Sequence, residues 1–158
     1  MKKKLLPYIV SIAVALGVGG LSALLTRGSM DIYETLKTPP LSPPSVLFPI
    51  VWSVLYILMG ISAAKIWTDP FAFGTEKRSA LWTYGISLAV NFLWSIIFFN
   101  MRAFGLAFFW LLLLLLLVIR TIMKYYPISP KAALLQIPYA LWVTFAGYLT
   151  LGIWILNK

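Results

Sequence analysis

The chain has no cysteine and no histidine, and only four of its 158 residues are acidic. The first two absences remove disulfides, thiolate nucleophiles, Cys/His zinc sites, Ser-His triads and His-ligated haem iron, so no resident metal is expected. Charge of either sign is scarce: 11% of residues are charged, less than half the share of ~25% in water-soluble domains. Hydrophobic residues make up 61%, with a mean hydropathy of +0.92, which excludes a soluble globular domain and places the chain in a lipid bilayer. Thirteen Lys and Arg against four Asp and Glu give a net charge of +9. The basic residues sit at the edges of apolar runs, so the excess reports topology and no nucleic-acid partner is expected.

Five runs approach or exceed the ~20 residues that cross a hydrocarbon layer as a helix: 5–25, 46–68, 79–99, 104–123 and 132–156. They predict an all-α membrane protein, one five-helix transmembrane domain over 1–158. Asp31, Glu34, Asp69 and Glu76 all fall between the runs. The first run follows Lys2, Lys3 and Lys4 as a signal peptide would, but it is longer than the ~7–15-residue core of one and is read as a retained helix. With the N-terminus inside, the inner side collects Lys2, Lys3, Lys4, Lys65, Lys77, Arg78, Arg120, Lys124 and Lys131, and the outer side Arg27, Lys37, Arg102 and Lys158. Nine against four predicts N-terminus in and C-terminus out. Lys65 and Arg120, just inside span ends, read as side chains snorkelling to headgroups.

The third and fourth runs leave room only for a tight hairpin around Asn100 to Ala103. The first connection, 26–45, is long and carries Pro39, Pro40, Pro43 and Pro44, which stiffen it and exclude a regular helix there. It reads as a lid, with a passive connector as the alternative. Small residues at helix-packing spacing, Ala15, Gly19 and Ala23, then Gly60 and Ala64, suit close approach of helices within the chain or, alternatively, a homodimer seam. Trp67, Trp82 and Trp154 fall near span ends, where interfacial rings belong; Trp110 fits either class. Trp52, Trp94 and Trp142 lie deeper, with Tyr56 one turn from Trp52, Asn91 one turn before Trp94, Ser95 beside it, and Ala146 one turn after Trp142. They fill a core or line an aromatic pocket for a flat, largely apolar ligand. Pro138, one turn before Trp142, removes a helix hydrogen bond and favours a kink there.

Four segments carry a resemblance: YETLKTPPLSPP over 33–44, VWSVLYILMG over 51–60, NFLWSIIFF over 91–99 and PYALWVTFAGYL over 138–149. They resemble, in order and over nearly the whole chain, the TspO/MBR family of tryptophan-rich sensory and translocator proteins. The resemblance implies a bacterial member in the plasma membrane. It implies a bundle that binds porphyrins such as protoporphyrin IX and haem, as well as isoquinoline carboxamide or benzodiazepine-type ligands, as a tetrapyrrole sensor or receptor and often as a dimer. Carried over by motif position, the ligand-binding residues are Tyr33, Ser42, Pro44, Trp52, Tyr56, Asn91, Trp94, Ser95, Trp142 and Ala146. The second reading it implies is light- and oxygen-dependent porphyrin breakdown with Trp52 and Trp142 as catalytic residues; the third is a transporter, against which the spans hold no central acid or His. No cofactor is required; porphyrin enters as ligand or substrate. The chain departs from the family at Leu41 and Thr150, where Trp and Asn are common, and its tyrosines give little support for sterol recognition.

Overall fold

A computed structural model describes residues 2–26 and 32–157 of the chain. Arg27 and Lys158, counted above for direction, lie outside them, as does Asp31. The described residues form α1 (Lys2–Thr26), a single helical turn α2 (Ile32–Thr35), α3 (Leu47–Trp67), α4 (Gly74–Ser95), α5 (Phe104–Tyr125) and α6 (Pro130–Leu156). Five of these are long and apolar enough to cross a membrane. Large apolar side chains such as Leu6, Leu116 and Leu141 are exposed, as on a bundle whose outside meets hydrocarbon instead of water.

Around the bundle the order is α1, α3, α6, α5, α4 and back to α1, with α3 also touching α4 across the middle. Lipid tails offer little drive for helices to associate, so contact depends on how closely backbones approach. Gly60 shows this: a Cβ there would lie 2.5 Å from Ile12 Cα and 2.9 Å from Ile12 N. Gly19 receives the Tyr56 ring in the same way, and Ala15 is fully buried. Ala15, Gly19, Gly60 and Ala64 thus serve packing within the chain, whereas Ala23 is exposed.

The helix limits follow from local chemistry. α4 begins at Gly74, ahead of the expected residue 79, because its first turn is polar and escapes a reading by hydropathy. Asp69 turns the chain into it by accepting from the backbone N–H groups of Phe71 and Ala72 at 2.9 Å each. At its far end α4 widens into a π-helical segment, Ile96–Asn100, which the apolar run did not reveal. The hairpin to α5 is tight, as expected, and Arg102 adopts a left-handed φ of 52° within it. Ser129 caps α6, its Oγ accepting from Ala132 N at 3.3 Å, with Pro130 at the first helical position. Pro138 is exposed, and α6 continues through it as one helix.

The tryptophans separate by depth. Trp67 and Trp82 are exposed near the ends of their helices. Trp154 packs across Gly105, where a Cβ would lie 2.8 Å from its ring, and against Phe109. Trp110 braces the bundle by donating from Nε1 to the Val90 carbonyl at 2.7 Å.

Candidate ligand-binding cavity

A cavity of about 820 Å³, its open mouth included, lies at the end of the bundle that holds the proline-rich connection. Helical spacing of three and four brings residues of each element to one face. α3 contributes Phe48, Trp52 and Tyr56, and α6 contributes Trp142, Ala146, Leu149, Thr150 and Ile153. α4 adds Trp94 and Ser95, and the π segment Phe98 and Phe99. The α1 wall consists of Gly19, Ser22, Ala23 and Thr26, and Tyr33 closes the rim. No charged side chain is among these described lining residues.

The aromatic rings form a continuous wall. Trp52 stacks on Tyr56 (centroids 5.6 Å, planes at 29°) and meets Trp142 edge to face (6.4 Å, 90°). Trp142 in turn touches Phe48 at 5.9 Å, and Phe48 touches Tyr33 at 5.0 Å. A flat molecule held between two parallel rings needs them about 7 Å apart, twice an ordinary ~3.5 Å carbon contact. The perpendicular Trp52–Trp142 pair offers no such slot, so a planar guest lies along this wall unless one ring turns.

Polar groups are few and recessed. Asn91 is fully buried and donates from Nδ2 to the Tyr56 hydroxyl at 3.2 Å, fixing that ring from behind. The indole Nε1 atoms of Trp94 and Trp142 are buried and find no acceptor among the described residues. Tyr33 donates to the Pro43 carbonyl at 2.8 Å. Burial pushes the Tyr33 phenol above its ordinary pKa, against a smaller opposing effect of the Ser42 hydroxyl, so it remains a donor at neutral pH.

The connection is clasped to α6. Asn157 Oδ1 accepts from Lys37 N at 3.1 Å while Asn157 Nδ2 donates to the Lys37 carbonyl at 2.8 Å. Tyr148 donates to the Pro40 carbonyl at 2.6 Å, and Pro39 seats over Gly152, where a Cβ would lie 2.5 Å from the proline ring. Asn157→Ala removes both amide contacts and is expected to speed ligand entry and release about fivefold or more, with a smaller change in affinity. Two exposed hydrogen bonds of ~0.5–1 kcal/mol each set that scale, and stopped-flow Trp fluorescence measures it. Unchanged rates would show that the connection does not gate the cavity.

Of the residues carried over from the sequence, Tyr33, Trp52, Tyr56, Trp94, Ser95, Trp142 and Ala146 line the cavity. Asn91, Ser42 and Pro44 do not. Asn91 acts behind Tyr56, Ser42 donates to the Pro39 carbonyl at 2.6 Å, and the Pro44 carbonyl accepts from Leu47 N at 3.0 Å to start α3. Pro138 is also outside the lining, and Leu41 is exposed at a left-handed φ of 70°. The α1 wall was missed as a site, although its small-residue spacing was the available signal. Phe98 and Phe99 lie in the 91–99 segment, and their place in the lining depends on the π turn that hydropathy does not reveal.

The TspO/MBR family profile matches residues 9–155. Among curated proteins the chain is 37% identical to Protein CrtK of Rhodobacter capsulatus, covering 95% of this chain and 90% of that one. It is 35% identical to the Translocator protein of Bos taurus (94% and 90%) and 33% identical to the Tryptophan-rich protein TspO of Chlorobaculum tepidum (99% and 99%). Five membrane-length helices, an aromatic cavity under the proline-rich connection and this end-to-end similarity agree: the chain is a multi-pass membrane protein of the TspO/MBR family.

Proposed function

We propose that the cavity binds a flat, mostly apolar ligand of the tetrapyrrole class, protoporphyrin IX or haem, and that the protein acts as its sensor or receptor in a bacterial plasma membrane. The observation that carries this reading is the wall of Tyr33, Phe48, Trp142, Trp52 and Tyr56, an uninterrupted run of ring contacts. Such a surface suits an extended π system. Because burying carboxylates unpaired is costly and the described lining holds no charge, this reading puts a porphyrin's carboxylates at the mouth. Aromatic carboxamides fit the same wall for the same reasons. Tyr33 offers a means of reporting occupancy, because one side chain both lines the cavity and holds the connection at Pro43.

An equimolar titration of the detergent-purified protein with protoporphyrin IX is expected to quench Trp fluorescence and shift the Soret band. If neither signal moves, the reading is wrong. A second reading, light-dependent porphyrin breakdown, is favoured by the direct Trp52–Trp142 contact in the wall, since it places two oxidisable indole rings side by side in the cavity lining. Illuminating the same complex in air decides it. Bleaching faster than that of porphyrin in detergent alone supports breakdown, and equal bleaching rejects it.

A further inference from the structure

A second hollow opens at the opposite end of the bundle, between the first turns of α4 and the turn joining α5 to α6. It measures about 600 Å³ with its open side and is lined by Thr75, Glu76, Ser79, Lys124, Pro127 and Ile128. Lys124 reaches from the last turn of α5 to α4, where its ammonium donates to Ser79 Oγ at 2.8 Å and Thr83 Oγ1 at 2.9 Å. Both acceptors are neutral hydroxyls, and Thr83 is buried. Two hydrogen bonds hold the cation in place and leave its third N–H and its charge facing the hollow. Glu76 stands in the same lining, so the hollow presents one positive and one negative group together with the hydroxyls of Thr75 and Ser79.

Depth identifies the kind of occupant. Trp82, one turn beyond Ser79, and Tyr126, beside Pro127, are both exposed, as rings at the headgroup level of a bilayer are. Their level is therefore that of phosphates and amines of lipid, next to hydrocarbon-facing helices. We infer that this hollow is a headgroup site for an aminophospholipid, its phosphodiester meeting Lys124 and Ser79 and its primary ammonium meeting Glu76. A purely anionic headgroup satisfies Lys124 but is opposed by Glu76, and a choline headgroup has no N–H to donate to the carboxylate.

The test uses the full-length protein in nanodiscs of phosphatidylethanolamine and phosphatidylglycerol in equal amounts, then washed in mild detergent, with retained lipid identified by mass spectrometry. Phosphatidylethanolamine is expected to be retained over phosphatidylglycerol about fivefold, the factor one charged contact carries at a membrane surface. Lys124→Gln is expected to lower retention of both lipids about fivefold. Glu76→Gln, an exposed change that leaves the Lys124 contacts in place, is expected to erase the preference while keeping phosphate binding. Equal retention of both lipids by the parent protein, or unchanged retention in Lys124→Gln, would overturn the assignment. Displacement of the lipid by millimolar inorganic phosphate would overturn it too, marking a free-phosphate site. Porphyrin titration of the same variants is expected to match the parent, which separates this site from the aromatic cavity.

Discussion

Ala146→Phe is expected to abolish porphyrin binding at concentrations that saturate the parent protein. Ala146 is 7% exposed and lies in the cavity wall one helical turn after Trp142. A phenyl group added there grows into the space a ligand would occupy, whereas elsewhere in a packed interior it would collide with the chain. The fold therefore has room to accept it, and the stability cost stays at or below the ~1–3 kcal/mol of ordinary overpacking. The ligand has no such escape, because the aromatic wall beside Ala146, Trp142 with Trp52 and Phe48, is already in ring-to-ring contact and cannot fall back to make room. An affinity loss of at least about 100-fold, or ~2.7 kcal/mol, follows. Leu141→Phe is the control: it is on the same helix but exposed to the outside of the bundle, and it is expected to bind as the parent does. Both are measured by fluorescence titration, with thermal unfolding alongside. Parent-like affinity in Ala146→Phe would place the ligand outside this cavity.

The parts of the fold that depend on one-dimensional patterns were legible in the sequence. Hydrocarbon thickness sets the length of an apolar run, so all five spanning helices could be read. The start of α4 could not, because Thr75, Glu76, Lys77 and Arg78 are as suited to a loop as to a helix outside the bilayer, and only the observed turn at Asp69 shows which they form. The π segment after Ser95 is a register change invisible to hydropathy. The site was legible where depth and aromatic chemistry coincide, at Trp52, Tyr56, Trp94 and Trp142. It was not legible for Gly19 and Ala23, whose small size is ambiguous between packing on a neighbour and leaving room for a guest. Both uses are present: Gly19 receives the Tyr56 ring and also borders the cavity. Motif position likewise could not separate Asn91, which supports a lining residue, from Ser95, which is one.

Gly60→Leu is expected to lower stability by about 2–3 kcal/mol, the upper part of the overpacking range, and to weaken the ligand at the same time. The first effect comes from what opposes the new side chain. A Cβ at 2.5 Å from Ile12 Cα is about 1 Å inside ordinary carbon contact, and the opposing atoms are backbone, which cannot rotate aside. α1 must therefore move away from α3. The second effect follows from the first, because α1 carries the wall formed by Gly19, Ser22, Ala23 and Thr26, and a displaced α1 opens the cavity on that side. Gly17→Ala and Gly20→Ala test the reasoning on the facing helix, α1. A Cβ at either position meets nothing within 4 Å, so these variants keep or slightly raise stability, by up to the ~1 kcal/mol that separates Gly from Ala in a helix. Thermal unfolding in detergent, with and without protoporphyrin IX, reads both quantities. If Gly60→Leu melts with the parent, α1 is not held against α3 through this glycine. If it melts early yet binds normally once folded, α1 is not a wall of the functional cavity, and the ligand contacts reduce to α3, α4, α6 and Tyr33.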